Sequence, residues 1–553
     1  MSRAVMAGTQ PLVGVRDLAS TLAWHEGAPI SAAQFIAEAQ AFAQCLPTRG
    51  RPVNLCQDRY RYALGLAAAL LRGQTSLMPP NALPATLRAL PGGADEPYAL
   101  IDEPGLDSGG LATIVVRRPQ GVAPASEVPC IDAGFEAVHL LTSGSTGVPR
   151  AHPKRWGALV DCMRSGGERL ADSCGLASLA GLNIVATVPA QHSYGFESSV
   201  LVALHCGAAF DAARPFYPAD IAAALARLPR PRALVTTPFH LKALLLAGVP
   251  LPPVDLVLSA TAPLSPQLAA QAEAAMGARL IEIYGCTEAG QVATRRTTAG
   301  DTWTPYDGLR VWREADPASE ADERFMVDGG HVLEPTPLAD VLVLEGGGRF
   351  RLLGRANDLI HVAGKRSSLA HLNFQLNRID GVDDGAFWLP DEVADGVVRP
   401  LAFVVAPRLE AAQIVRALRQ QLEPAFVPRR VVHVDALPRE ATGKLTAQAL
   451  QRFALATLAH EFEIAADHPA FDGHFPGHPV LPGVVLLSLV MQALDTRPAL
   501  REQLGAPPTI EQAKFLAPVT PGSRVRVTLS AQARGVRFEL HAGPTLVAKG
   551  QLT

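Results

Sequence analysis

The stretch LLTSGSTGVPRAHP, Leu140 to Pro153, decides the reading of the larger part of the chain. It sets small, hydroxyl-bearing and glycine residues directly after an apolar run, Val138 to Leu141. Glycines let successive main-chain N–H groups turn toward a phosphate, and hydroxyls add donors without bulk. A loop of this kind behind a buried strand is a candidate nucleotide-phosphate loop. Taken alone, the same composition also describes an ordinary surface loop.

Around it, residues from about 130 to 290 alternate short Val-, Ile- and Leu-rich runs (LNIVATVPA, RALVTTP, VDLVLSAT, RLIEIYG) with Ala- and Leu-rich helical stretches (DIAAALARL, PQLAAQAEAAMG). That rhythm predicts buried strands with crossover helices, a layered α/β domain. Beyond GGGRFRLLGRAND the pattern shifts to a smaller α+β segment whose clearest helix is EAAQIVRALRQQLEP. The helical KLTAQALQRFALATLA leads into a last block of alternating strands, RVRVTLSAQ, VRFELHA and TLVAKGQL. Domain boundaries are placed near 354 and 457, giving segments 1–353, 354–456 and 457–553.

The bulk numbers agree with several folding units, since 553 residues exceed what one core organises. With 18% charged residues and a net charge of −3, the chain has no field that would draw nucleic acid or an anionic membrane, so small molecules are the expected partners. Seven cysteines without a CxxC pair argue against a disulfide framework and a structural zinc site. The N-terminal MSRAVMAGTQPLVGVRD lacks an apolar leader core, and VVLLSLVMQAL is too short to span a bilayer. A soluble protein in the reducing cytoplasm is expected.

Four further segments follow the loop in order: LSATAPLS (259–265 region), IYGCTEAG, GRANDLIHVAGKR and LPREATGKL. Together with the loop they resemble the adenylate-forming superfamily of acyl- and aryl-CoA ligases, peptide-synthetase adenylation domains and luciferases, over about residues 1 to 455. The resemblance implies a large layered N-terminal domain, a small mobile domain, and use of ATP and Mg²⁺. It implies that Thr142, Ser143, Gly144, Ser145, Thr146 and Gly147 cradle the ATP phosphates, with Arg150 adding charge. It further implies that Tyr284 stacks on adenine, Thr287 bonds the α-phosphate, Glu288 helps hold Mg²⁺, and Asp340 and Arg355 contact the ribose or phosphates. His192 and Tyr194 would border the acid pocket, with Phe196, Ala260 and Gly285 as further lining.

Lys444 is the principal catalytic candidate. Adenylation joins a carboxylate to an α-phosphate, and a lysine between the two anions offsets the charge that grows in the transition state. Most Gly-Lys pairs are merely solvated helix starts, but LPREAT precedes this one near the end of the ligase segment. In relatives the small domain rotates between adenylation and thiol attack. Asn357 and Asp358 would form that hinge, and Gly364 would lie in the loop that guides the thiol. Three departures stand out: VPRAHP where relatives have Pro-Lys-Gly, Ala-Asn-Asp at the hinge, and an N-terminal region short of a full CoA-binding surface.

The tail segment GHFPGHPVLPGVVLLS, Gly473 to Ser488, resembles the active-site segment of 3-hydroxyacyl carrier-protein dehydratases, and AKFLAPVTPGSRVRVTL resembles the strand pair that follows it. This implies a hot-dog fold, a sheet wrapped around a helix, with sites formed at a homodimer interface. His474 would be the base, and an N–H at the helix start, Gly483 or Val484, would polarise the thioester carbonyl. The carboxylate that relatives carry fourteen residues after the histidine is here Ser488. A hydroxyl supplies no carboxylic proton, so much of a general-acid contribution of about 10²–10⁴-fold is lost. Asp495 lies too far along the helix to replace it directly.

The pairing is similar to enzymes of aryl-polyene pigment clusters. It implies activation of an aryl or acyl carboxylic acid and loading onto the phosphopantetheine of an acyl carrier protein. The alternatives are an aryl or medium-chain acyl-CoA ligase whose tail dimerises or binds thioesters, and a non-catalytic thioester-binding scaffold.

Overall fold

The computed structural model describes residues 8–91, 95–142, 150–314, 324–355, 359–362, 365–389, 400–428, 430–439, 445–458, 460–471, 477–495, 500–501, 504, 508–532 and 535–553. The chain divides into two compact units, Met1–Asn357 and Asp358–Thr553.

Two sheets dominate the first unit. Among the described residues, one has nine strands, with Thr21–His25, Ala209–Asp211, Asn183–Ala186, Arg232–Thr236, Leu256–Ser259 and Arg279–Cys286 running parallel in its middle. These strands are buried over most of their length, as expected where helices cover both faces of a parallel sheet. The apolar runs of the sequence account for them. The helices between close with recognisable caps: Ser265 accepts from Leu268 N ahead of Pro266–Met276, and Gly277 ends that helix at φ +62°.

The other large sheet has six strands, in which Glu136–Thr142, Ser76–Met78, Arg51–Asn54, Pro97–Ile101 and Thr113–Val115 are parallel neighbours. Arg150–Arg155 closes its edge antiparallel to Glu136–Thr142. The helix Arg59–Leu71, capped by Asp58, packs against Ala32–Ala43, and the two helices fill the space between the sheets with Phe35, Tyr60, Tyr62 and Leu66.

The second unit opens with a small α+β layer. Asp384–Trp388, Leu401–Val405 and Val431–His433 form a sheet, and Leu369–Asn377 and Ala411–Leu418 bury Leu372, Leu376, Ile414 and Leu418 against it. Further on, five antiparallel strands run in the order His460–Glu463, Arg524–Ala531, Val536–Ala542, Thr545–Leu552, Ile510–Phe515. The helix Gly483–Asp495 lays Leu486, Leu489, Val490, Ala493 and Leu494 on Val525, Val527, Phe538 and Leu540. This is the sheet-around-helix arrangement of a hot-dog domain, so both fold expectations hold. Among the described residues no helix is long and apolar enough to cross a membrane.

Phe538 is fully buried in that last core and covers Gly550, where a Cβ would stand 2.4 Å from its ring. Phe538→Ala is expected to destabilise the C-terminal sheet by about 3–5 kcal/mol. Differential scanning calorimetry should show this as a lowered transition, with unfolding of the first unit unmoved.

Candidate active site

Of the expected residues, Tyr284, Gly285, Thr287, Glu288 and Ala260 lie at or just beyond the carboxyl ends of two parallel strands of the nine-stranded sheet, Arg279–Cys286 and Leu256–Ser259, where open α/β sheets bind ligands. Arg279–Cys286 ends in Tyr284 and Gly285, and a turn of Thr287, Glu288 and Ala289 leads back into Gly290–Arg295, with Cys286 opposite Gly290. Gly290, the first residue of the returning strand, takes φ +79°, a left-handed conformation that favours glycine. Thr287 and Glu288 are thus fixed on a tight turn just beyond the strand end. A Cβ on Gly285 would lie 2.3 Å from the Gly290 carbonyl oxygen, so only glycine fits there.

Tyr284 is buried, with Trp303 and Phe350 rings 5.7 and 5.6 Å away, and its hydroxyl donates to Asp340 Oδ2 at 2.7 Å. Asp340 stands opposite Arg355 across the strand pair Asp340–Leu344 and Phe350–Arg355. The structure therefore joins Tyr284 to Asp340, two of the residues expected around adenine and ribose, with Arg355 the main-chain partner of Asp340. Ala260 follows the neighbouring strand Leu256–Ser259, and Thr261 beside it is a β-branched residue at φ +78°, a strained conformation.

His192 caps the short helix Ser193–Gly195, which runs into a π-helix, Phe196–Leu201. Tyr194 donates its hydroxyl to the Thr236 carbonyl at 3.1 Å, placing this segment at the end of Arg232–Thr236. Phe196 is fully buried edge-on to Tyr62 and belongs to the core beneath the segment.

Thr142 and Arg150, the ends of the expected phosphate loop, are cross-strand partners. Ser143, Gly144, Ser145, Thr146 and Gly147 lie outside the described residues, as do Asn357, Asp358, Gly364, Lys444 and His474. Arg150, His152 and Lys154 alternate along the returning strand and so share a face. His152 Nε2 is 3.0 Å from Thr142 Oγ1 and 3.8 Å from Glu288 Oε1. Lys154 Nζ donates to the Glu288 carbonyl oxygen. These contacts tie the loop ends to the Thr287–Glu288 turn. Sequence reading missed both His152 and Lys154; the two-residue period that also carries Arg150 was the available signal.

It also missed a buried polar group behind the turn. Glu197, on the π-helix, is only 3% exposed. Gln291 donates to Ser198 Oγ at 3.0 Å and accepts from the Tyr306 hydroxyl at 2.7 Å. Burial pushes the Glu197 carboxyl up to about 7, against the opposing pull of Lys154 and hydrogen bonding from Gln291. Burial likewise lowers the Lys154 ammonium, and the Glu197 carboxylate is the largest charge acting in the other direction.

No group of three His, Cys, Asp or Glu side chains able to hold a metal occurs among the described residues. Glu288, half-exposed at the turn, is a hard oxygen donor of the kind Mg²⁺ takes while keeping waters and nucleotide phosphates as its other ligands. The residues present fit that ion.

In the tail, Gly483 starts the helix beneath the Phe515 ring, which a Cβ there would meet at 2.7 Å. Ser488 is exposed, and its hydroxyl donates to the Val485 carbonyl at 2.8 Å, within its own helix. Asp495 is paired with Arg501.

Residues 64–314 match the AMP-binding enzyme family, 376–444 the AMP-binding enzyme C-terminal domain and 451–551 the ApeI dehydratase family. A 4-coumarate–CoA ligase of Rhodobacter capsulatus is 32% identical over 308 residues, 55% of this chain and 73% of that protein. The 3-hydroxyacyl-[acyl-carrier-protein] dehydratase FabZ of Ehrlichia chaffeensis is 34% identical over 96 residues, 16% of this chain and 67% of that protein. ATP-bound MatB of Rhodopseudomonas palustris shares the fold at a TM-score of 0.65 and 20% identity, over 80% of this chain and 97% of that one. The chain belongs to the AMP-binding enzyme family, the ATP-dependent, AMP-forming ligases that join acids to thiols. A dehydratase-like hot-dog domain of the ApeI and FabZ kind is fused behind the ligase.

The buried Glu197 gives a stability test. Its folded carboxyl titrates near 7 against an ordinary 4.5. Between those values the folded state holds a proton the unfolded chain has released, so this contribution is full below 4.5 and lost as pH rises through 7. Glu197→Gln should remove a slope worth at most roughly 3 kcal/mol. Urea denaturation of both proteins at pH 5 and pH 8 checks it; an unchanged slope in the variant would contradict the assignment.

Proposed function

We propose that this chain activates an aryl or acyl carboxylic acid as its acyl-adenylate and transfers the acyl group to the phosphopantetheine thiol of an acyl carrier protein. The observation that carries the reading is that side-chain contacts join residues of three sheets, with His152 reaching both Thr142 and Glu288 and Tyr284 bonding Asp340, in a chain that also carries a dehydratase-like domain. Tyr284 and Asp340 hold adenosine; Thr142 with Ser143 to Gly147, Arg150 and Thr287 hold the phosphates; Glu288 holds Mg²⁺. When bound, that ion neutralises phosphate charge. The catalytic role falls to Lys444, whose ammonium would offset the charge that grows as the acid's carboxylate attacks the α-phosphate and pyrophosphate leaves. His192 and Tyr194, with Ala260 and Gly285, border the acid. Asn357 and Asp358 form the hinge, and Gly364 guides the thiol in the second step.

The same domain supports a carrier-bound thioester as the tail's ligand. His474 serves as base and the helix start at Gly483 polarises the carbonyl, while the Ser488 hydroxyl is engaged with its own helix. The tail therefore binds the acyl chain better than it dehydrates it. A second copy completes the site: the edge strand Ile510–Phe515 carries Phe515 at 50% exposure, and Val484 on the helix is 72% exposed. Transfer to free CoA is the second reading, favoured by the likeness to 4-coumarate–CoA ligase.

Lys444→Ala should lower acid-dependent ATP–pyrophosphate exchange by about 10²–10³-fold while leaving ATP binding measurable by calorimetry. Full exchange in that variant would overturn the assignment. Ser488→Glu should raise dehydration of a 3-hydroxyacyl carrier thioester by about 10²-fold or more, followed by mass spectrometry of the carrier. Equal turnover by wild type and variant would show that the tail draws its acid from elsewhere.

A further inference from the structure

Lys154 has no part in the mechanism above, yet its placement is costly. It stands on Arg150–Arg155, the edge strand that returns from the expected phosphate loop, half-buried, with its ammonium engaged by the Glu288 carbonyl. An ammonium drawn out of water survives only where partners offset its desolvation. Its hydrogen bond goes to the Glu288 carbonyl on the hairpin turn, and the nearby charge of Glu197, on the π-helix of the acid-lining segment, favours its ammonium form. Two positions earlier on the same face, His152 bridges Thr142 and Glu288. Glu197 is held in turn beside the Gln291, Ser198 and Tyr306 network. One cation thus joins the loop strand of one sheet, the turn of the other, and the segment bordering the acid.

We propose that Lys154 is a positioning residue for adenylation, with Glu197 as its buried counter-charge, and that it sets the Thr287–Glu288 turn against the two ends of the phosphate loop. It acts through that turn and touches no substrate. This rests on the adenylation reading given above. Losing the ammonium frees the turn to shift against the loop, and a displacement of about 1 Å in a reacting group costs on the order of 10²-fold in rate.

The test is acid-dependent ATP–pyrophosphate exchange by the full chain, wild type beside Lys154→Met, Lys154→Arg and Glu197→Gln, with melting curves for each. Lys154→Met keeps the aliphatic stem and removes the donor; kcat should fall roughly 10–100-fold and the KM for ATP should rise. The KM for the acid and the melting temperature should stay near wild type. Lys154→Arg, which keeps charge and donor, should recover most of the loss, and Glu197→Gln should lose less than Lys154→Met. A purely structural role would lower the melting temperature and move both KM values together. A Lys154→Met protein within twofold of wild type, or a loss that arginine does not rescue, overturns the proposal. Should Lys154→Met melt below the assay temperature, Glu197→Gln decides, and an unchanged kcat there overturns it. A wild-type chain without exchange overturns the adenylation reading and this proposal with it.

Discussion

The antiparallel ladder between Glu136–Thr142 and Arg150–Arg155 is the constraint on which the proposed ligase site depends. It places Thr142 opposite Arg150, so both ends of the proposed phosphate loop are held in register by main-chain hydrogen bonds. The two-residue period of a strand then puts Arg150, His152 and Lys154 on a common face. From that face His152 and Lys154 reach the Glu288 turn of the other large sheet. A slip of one residue would turn all three side chains away.

The second constraint is electrostatic. Adenylation brings a carboxylate to a polyphosphate, and the site answers with donors and cations carried on rigid elements: a hairpin, a glycine-tightened turn and strand ends. Gly285 and Gly290 are glycines for geometric reasons, one for the close approach of the Gly290 carbonyl and the other for its positive φ. The buried Glu197 stands just behind this turn, and its charge, where ionised, favours the Lys154 ammonium. In the tail the balance runs the other way. The helix Gly483–Asp495 buries Leu486, Leu489, Val490, Ala493 and Leu494, while the exposed Ser488 donates its proton to the Val485 carbonyl.

Much of the fold was legible because its signals are local. Leu256–Leu258 is a continuous apolar run and Arg279–Cys286 a mainly apolar strand interrupted at Glu282, and Ala411–Leu418 shows a single apolar stripe with buried Ile414 and Leu418. The six-stranded sheet was not read, because Ser76–Met78 and Thr113–Val115 are only three residues long and carry no period. The ordered motifs pointed to Tyr284, Asp340 and Glu288. They could not reveal the contact of Lys154 with Glu288, since those residues are 134 positions apart and meet only through the packing of two sheets. Glu197 was hidden for a different reason: an isolated glutamate in an apolar stretch gives no hint that a π-helix buries it.

The joining of an acid-activating ligase to a thioester domain is what sets this chain apart from either part alone, and it makes the acceptor thiol the decisive question. The most direct measurement is the intact mass of a phosphopantetheinylated acyl carrier protein after incubation with the chain, ATP, Mg²⁺ and a panel of aryl and aliphatic acids, beside a reaction containing free CoA. A mass gain on the carrier equal to one acid less water is the expected result. Thioester formed on CoA alone, with the carrier unchanged, would contradict carrier loading and leave a CoA ligase with a dimerising tail.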